Sequence, residues 1–159
     1  MFAMVLAAAL SVSHAGLPAF GATSAPVVTR DPAAEIAHAL APRESLRAMI
    51  LMALERNGAS AELIARVGES RADAMLSAAA ETVSWRHAAQ WEANLAAAYR
   101  ESLSADELGM ALAAVRRADR VALGGVAPKV GIALFRSSAP LIEEASAEAI
   151  RAAQERLTP

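Results

Sequence analysis

The chain has 159 residues, with 55% apolar and 4% aromatic side chains, 15 basic residues against 17 acidic ones, and no cysteine. A formal charge of −2 gives no general reason to expect nucleic acid or an anionic membrane as partner. The missing cysteine excludes a disulfide framework, a thiolate nucleophile, Cys-ligated zinc and a lipoprotein anchor.

Alanine dominates, and alanine is the best helix former but a poor core filler. The expected fold is therefore all-α: a compact, Ala-rich bundle of about five to seven closely packed helices. A chain of this length fits one domain, whose core buries roughly two thirds of the unfolded surface. No run alternates with period two, so strand signals are nearly absent.

Phe2 to Val12 is apolar and uncharged, the length of a signal-peptide core and too short to cross a bilayer. Ser13-His14-Ala15 offers small residues three and one positions before a cut ahead of Gly16. The expectation is a signal peptide over 1–15, although its n-region carries no Lys or Arg. Residues 16–30 are rich in Gly, Pro, Ser and Thr and read as a flexible lead-in. One helical domain over 31–159 follows.

Asp31-Pro32 gives an N-cap and a proline at the first helical position, opening a short helix to about Leu40. Pro42 restarts the chain. Leu46, Met49, Ile50, Ala53 and Leu54 recur at helical spacing, with Asn57-Gly58 as the stop. Ser60-Ala61-Glu62-Leu63 opens the next helix, which breaks at Gly68. A long helical run then extends from about Ser70 to Ser102.

The sharpest start in the sequence is Ser104-Ala105-Asp106-Glu107, a capping box in which hydroxyl and carboxylate each satisfy the other residue's backbone N–H. Leu108, Ala111, Leu112, Val115, Ala118 and Ala122 then form one apolar stripe, and Gly124-Gly125 with Pro128 reads as its stop. A short helix around Val130 to Ser137 and a last one from about Pro140 complete the expected set.

Candidate chemistry is sparse. Once the signal peptide is removed, His38 and His87 are the remaining histidines, and neither has a partner at metal-ligand spacing. Glu35, three residues before His38, reads as a solvated surface pair with it. Trp91 lies one turn beyond His87 and can stack on it. Trp85 and Trp91, six residues apart, should divide between surface and core. The pairs Asp106-Glu107 and Glu143-Glu144 diverge by about 100° on a helix and cannot converge on one substrate atom. Nothing in the sequence implies a cofactor.

Arg116, Arg117 and Arg120 are the one local concentration of charge and the candidate site for an anion or a partner. Arg116 and Arg120 would share a helix face at a cost of roughly 0.2–0.5 kcal/mol. Glu143 and Glu144 on a packed neighbour are the expected compensation; the functional alternative is an anionic ligand held by the guanidinium fork.

Tyr99, Leu103, Ser104, Glu107 and Leu108 resemble the motif of the bacterial family of domains of unknown function numbered twenty-fifty-nine. Its Phe-Tyr pair is replaced here by Val115-Arg116, and its Ser-Pro-Gly element is missing. The resemblance covers about thirty residues. It implies a small exported helical protein and carries over no catalytic residue.

Two functional classes follow. The first is a periplasmic, or secreted, non-enzymatic helical protein that binds an envelope partner through a groove between helices and has no membrane span after signal cleavage. The second is a small enzyme whose site assembles from distant residues such as His87, Glu81 and Arg116.

Overall fold

The computed structural model describes residues 31–157, so the expected signal peptide and lead-in lie outside it. The described residues form six helices and no strand: α1 (Pro32–Ala39), α2 (Pro42–Leu54), α3 (Gly58–Val67), α4 (Glu69–Ser102), α5 (Ala105–Arg116) and α6 (Arg120–Glu155). The fold is the all-α bundle that the alanine-rich composition predicts. No described helix is long and apolar enough to cross a membrane.

Local signals set most of the helix ends. The Asp31 carboxylate accepts from the Ala33 N–H and caps α1. The Ser104 hydroxyl accepts from the Glu107 N–H at 3.3 Å while Glu107 accepts from the Ser104 N–H at 2.9 Å, completing the capping box. Gly68, at φ 83°, separates α3 from α4 in a conformation that disfavours any side chain. Asn57, expected at the stop of α2, instead caps α3 by accepting from the Ala59 N–H.

The main correction concerns the end of α5. Gly124-Gly125 does not stop a helix; both lie inside α6, which also runs through Pro128 and Pro140. The stop falls at Ala118, in the left-handed region at φ 54°, where the Asp119 N–H reaches back to the Ala114 carbonyl at 2.9 Å. Asp119 then caps α6 by accepting from the Ala122 N–H.

Each proline removes one hydrogen bond from α6, but tertiary packing outweighs that local loss. The inner stripe of α6, Leu123, Ala127, Val130, Leu134, Leu141, Ala145, Ala149 and Ala153, is buried throughout. The separate helices expected around Val130 and from Pro140 are therefore one.

The α4/α6 pair is the spine of the bundle. His87 meets Glu148, Asn94 meets Ser138 and Glu101 lies beside Arg136, so α4 and α6 run antiparallel. Many of their buried residues are alanines, which lets the backbones approach closely. Trp91 fills the centre at 1% exposure, and its Nε1–H donates to the Ser45 hydroxyl at 2.7 Å. Ser45 in turn donates to the Pro42 carbonyl at 3.0 Å, so this polar pair is satisfied within the core. Trp85 is 62% exposed with the Arg43 guanidinium 4.2 Å above its ring, which gives the expected division of the two tryptophans.

A break at Ala118 predicts mutational effects of opposite sign from a Gly-Gly stop. Ala118→Gly should raise stability by about 0.5–1 kcal/mol by relieving a left-handed alanine. Gly124→Ala and Gly125→Ala should each do the same, because a Cβ at either position meets nothing within 4 Å inside a helix. Chemical denaturation midpoints decide it. If Gly124-Gly125 were the stop, all three changes would destabilise.

Candidate partner-binding face

The sequence of α6 carries two apolar stripes, and the core uses only one. Val121, Gly125, Pro128, Ile132, Phe135, Ala139 and Ile142 follow one another at alternating steps of four and three residues. That heptad rhythm keeps them along one side of the helix for about 30 Å. None is charged. Val121 is 88% exposed, Ile132 68% and Phe135 54%, so the stripe faces outward. An apolar helix face exposed over most of its length is of the kind that marks an interaction site.

At its C-terminal end the stripe runs into a hollow of about 280 Å³. Phe135, Ala139 and Ile142 of α6 form one wall, Met49, Met52 and Ala53 of α2 the other, with Arg56 and Glu143 also lining it. Methionine suits such a surface because its unbranched side chain adapts to varied apolar shapes. Gly124 and Gly131 lie seven residues apart along one edge of the stripe, and a Cβ added at either would meet nothing within 4 Å. The packing of the bundle does not require these glycines, although each costs about 1 kcal/mol relative to alanine in a helix. Their effect is to leave that edge low enough for a second helix to approach closely.

Basic groups border the face. Lys129 and Arg136, again seven residues apart, follow Pro128 and Phe135 on the other edge. Arg117 and Arg120 lie at its N-terminal end, and Glu143 closes the C-terminal end. Lys129 donates to Glu107, and Arg136 lies 3.9 Å from Glu101; both cations remain well exposed.

The Lys129 hydrogen bond, together with that from the Ser104 N–H, pulls the Glu107 carboxyl from its ordinary 4.5 down to about 2. The unfolded chain binds this proton near pH 4.5, whereas the fold resists it to about pH 2. The contact therefore stabilises fully above pH 4.5 and is lost as the pH falls towards 2. An NMR titration of the Glu107 side chain should show the low midpoint, and Lys129→Ala should move it up towards 4.5. A Glu107 midpoint already at 4.5 in the wild type would contradict the contact.

The arginine cluster is divided by the break at Ala118. Arg116 belongs to α5 and holds Glu35 of α1, with Nε at 3.0 Å and Nη2 at 2.8 Å from one carboxylate oxygen. The expected role of Glu143 or Glu144 as its partner is thus corrected: α5 packs on α1 and carries Arg116 there. Arg116 and Arg120 do not share a helix, so the like-charge penalty expected between neighbouring turns does not arise.

His87, Glu81 and Arg116 are engaged with three different partners. His87 Nε2 lies 2.9 Å from Glu148, which Arg86 also contacts. The His87 contact, then that of Arg86, holds the Glu148 carboxyl below its ordinary range. Glu81 lies 3.0 Å from Arg47 Nε, and Arg47 also donates to the Ser77 hydroxyl at 2.7 Å.

His38 pairs with Glu92 of α4 at 3.0 Å, not with Glu35. Trp91, expected to stack on His87, is anchored to Ser45. Among the described residues no group of three His, Asp or Glu side chains is placed to hold a metal ion.

Reading Gly124-Gly125 as a terminus hides the outer stripe. A heptad count from Val121 to Ile142 finds it once those glycines are treated as helix interior. No protein-family model, curated protein or solved structure matches this chain.

Proposed function

We propose that this is an exported, non-enzymatic helical protein that docks a helix of an envelope partner along the outer face of α6. The observation that carries this reading is the heptad-spaced, uncharged stripe from Val121 to Ile142, exposed over most of its length and bordered by Arg117, Arg120, Lys129 and Arg136. Only a helix matches a straight apolar track of that rhythm, and the cations favour one with acidic flanks. The Met-lined hollow takes a large side chain at one end. Export rests on the apolar segment ending at Ser13-His14-Ala15 and on the resemblance around Tyr99–Leu108. The separate ion pairs on His87, Glu81 and Arg116 support binding over catalysis.

Photo-crosslinking in intact cells tests this. A benzophenone amino acid at Ile132 should trap an envelope protein, and Phe135→Asp should abolish the product. The same group at Arg71, exposed on α4, should trap nothing. Equal products from Ile132 and Arg71, or an intact Met1 in a cytosolic fraction, would contradict the proposal.

A further inference from the structure

The connection from α5 into α6 is pinned at both ends and thinly held between them. On one side Arg116 binds Glu35 of α1; on the other Lys129 binds Glu107 of α5. Among residues 117–128 only Leu123 and Ala127 are buried, with Val126 partly covered. Leu123 is thus the one large buried side chain that anchors the first two turns of α6.

The backbone of the same stretch is weak at two points. Ala118 holds a left-handed φ of 54°, a strained conformation for a residue with a Cβ. Gly124 and Gly125 lie inside the helix, where glycine is the poorest former after proline. Pro128 has no N–H to donate to the Gly124 carbonyl one turn before it. A Cβ at Gly124 or Gly125 would meet nothing within 4 Å, so packing calls for neither glycine. The body of α6 is held differently. Val130, Leu134, Ala145 and Ala149 are buried in it, and Ser138 and Glu148 tie it to α4.

We infer that the first two turns of α6 are a switch that opens and closes on an otherwise folded bundle, and that a helix docked along the outer face closes it. The coupling rests on the docking face proposed above. Val121, Gly125 and Pro128, the N-terminal end of that face, lie in the switch. Ile132, Phe135 and the Met-lined hollow lie on the fixed body. Opening therefore shortens the apolar track and leaves the hollow intact. A ligand shifts such an equilibrium only by binding one state better than the other. A helix long enough to reach Val121 does so, because only the closed state continues the track that far.

Amide hydrogen exchange of the intact chain, read residue by residue by NMR, tests the switch and its coupling separately. In the free protein the helical N–H groups of Val126 and Ala127 should exchange about a hundredfold faster than those of Ala145 and Ala149. Gly124→Ala with Gly125→Ala should slow Val126 and Ala127 by about tenfold and leave Ala149 unchanged. Leu123→Ala should speed the same two amides by about tenfold or more, again without effect at Ala149. A three-heptad peptide with leucine at the seam and glutamate at the flanks should slow Val126 and Ala127 when added. Equal protection of Ala127 and Ala149 in the free protein, or no slowing in the double alanine variant, would overturn the switch. A peptide that shifts the resonances of Ile132 and Phe135 but leaves Val126 and Ala127 exchanging as before would overturn the coupling while the docking face stands. A peptide that shifts no resonance would remove the docking face and the coupling together, with the switch still decided by exchange in the free protein.

Discussion

Trp91→Ala should lower the free energy of unfolding by about 3–5 kcal/mol, the range for emptying a large aromatic site in a core. A domain of ordinary stability holds only about 5–15 kcal/mol in all, so the variant should lose a large share of its stability. Two terms act together. The indole is 1% exposed where α2 and α4 meet, so its loss leaves a cavity that the surrounding alanines are too small to fill. The Ser45 hydroxyl also loses the Nε1–H that satisfies it. Trp91→Phe separates the terms, because it keeps most of the volume and removes only the donor; it should cost about 1–3 kcal/mol. Urea denaturation followed by circular dichroism measures both. Equal midpoints for wild type and Trp91→Ala would mean that the indole is not in the core.

Ala145→Leu should be the next most damaging single change, at about 1–3 kcal/mol or more. Ala145 is fully buried on the inner stripe of α6, between the Asn94–Ser138 and His87–Glu148 contacts with α4. A larger side chain there must push the two long helices apart and strain those contacts. Ala147→Leu, two residues away on the exposed side, is the control and should change stability by less than about 0.5 kcal/mol. A neutral Ala145→Leu would show that α4 and α6 are not closely packed.

The sequence is most legible where structure is local. Asp31-Pro32, Gly68 and the Ser104–Glu107 box mark helix ends because a side chain or a missing Cβ acts on its own neighbouring backbone. The stop at Ala118 is illegible for the converse reason: alanine gives no sign in the sequence of adopting φ 54°. Gly124-Gly125 and Pro140 mislead because a breaker costs a few kcal/mol at most, less than a buried stripe of several turns contributes.

Charge pairing is the least legible. Arg116 finds Glu35 across 81 positions and His38 finds Glu92 across 54, distances at which no spacing rule operates. Tyr99 is fully buried in α4, and desolvation pushes its phenol up to about 12. As the single tyrosine, it should give little tyrosinate absorbance at about pH 10–11 while the protein is folded.

On the proposed reading α6 has two working sides, an inner one that holds the bundle and an outer one that receives an acidic amphipathic helix. Fluorescence anisotropy of a labelled three-heptad peptide tests it most directly, with leucine at the seam positions and glutamate at the flanks. The wild-type protein should bind this peptide, and bind it less tightly as salt rises. A peptide with lysine flanks should not bind. Val121→Asp with Ile132→Asp should abolish binding while leaving the melting temperature unchanged, since both side chains are exposed. Undiminished binding by that double variant, or equal binding of the lysine-flanked peptide, would contradict the account.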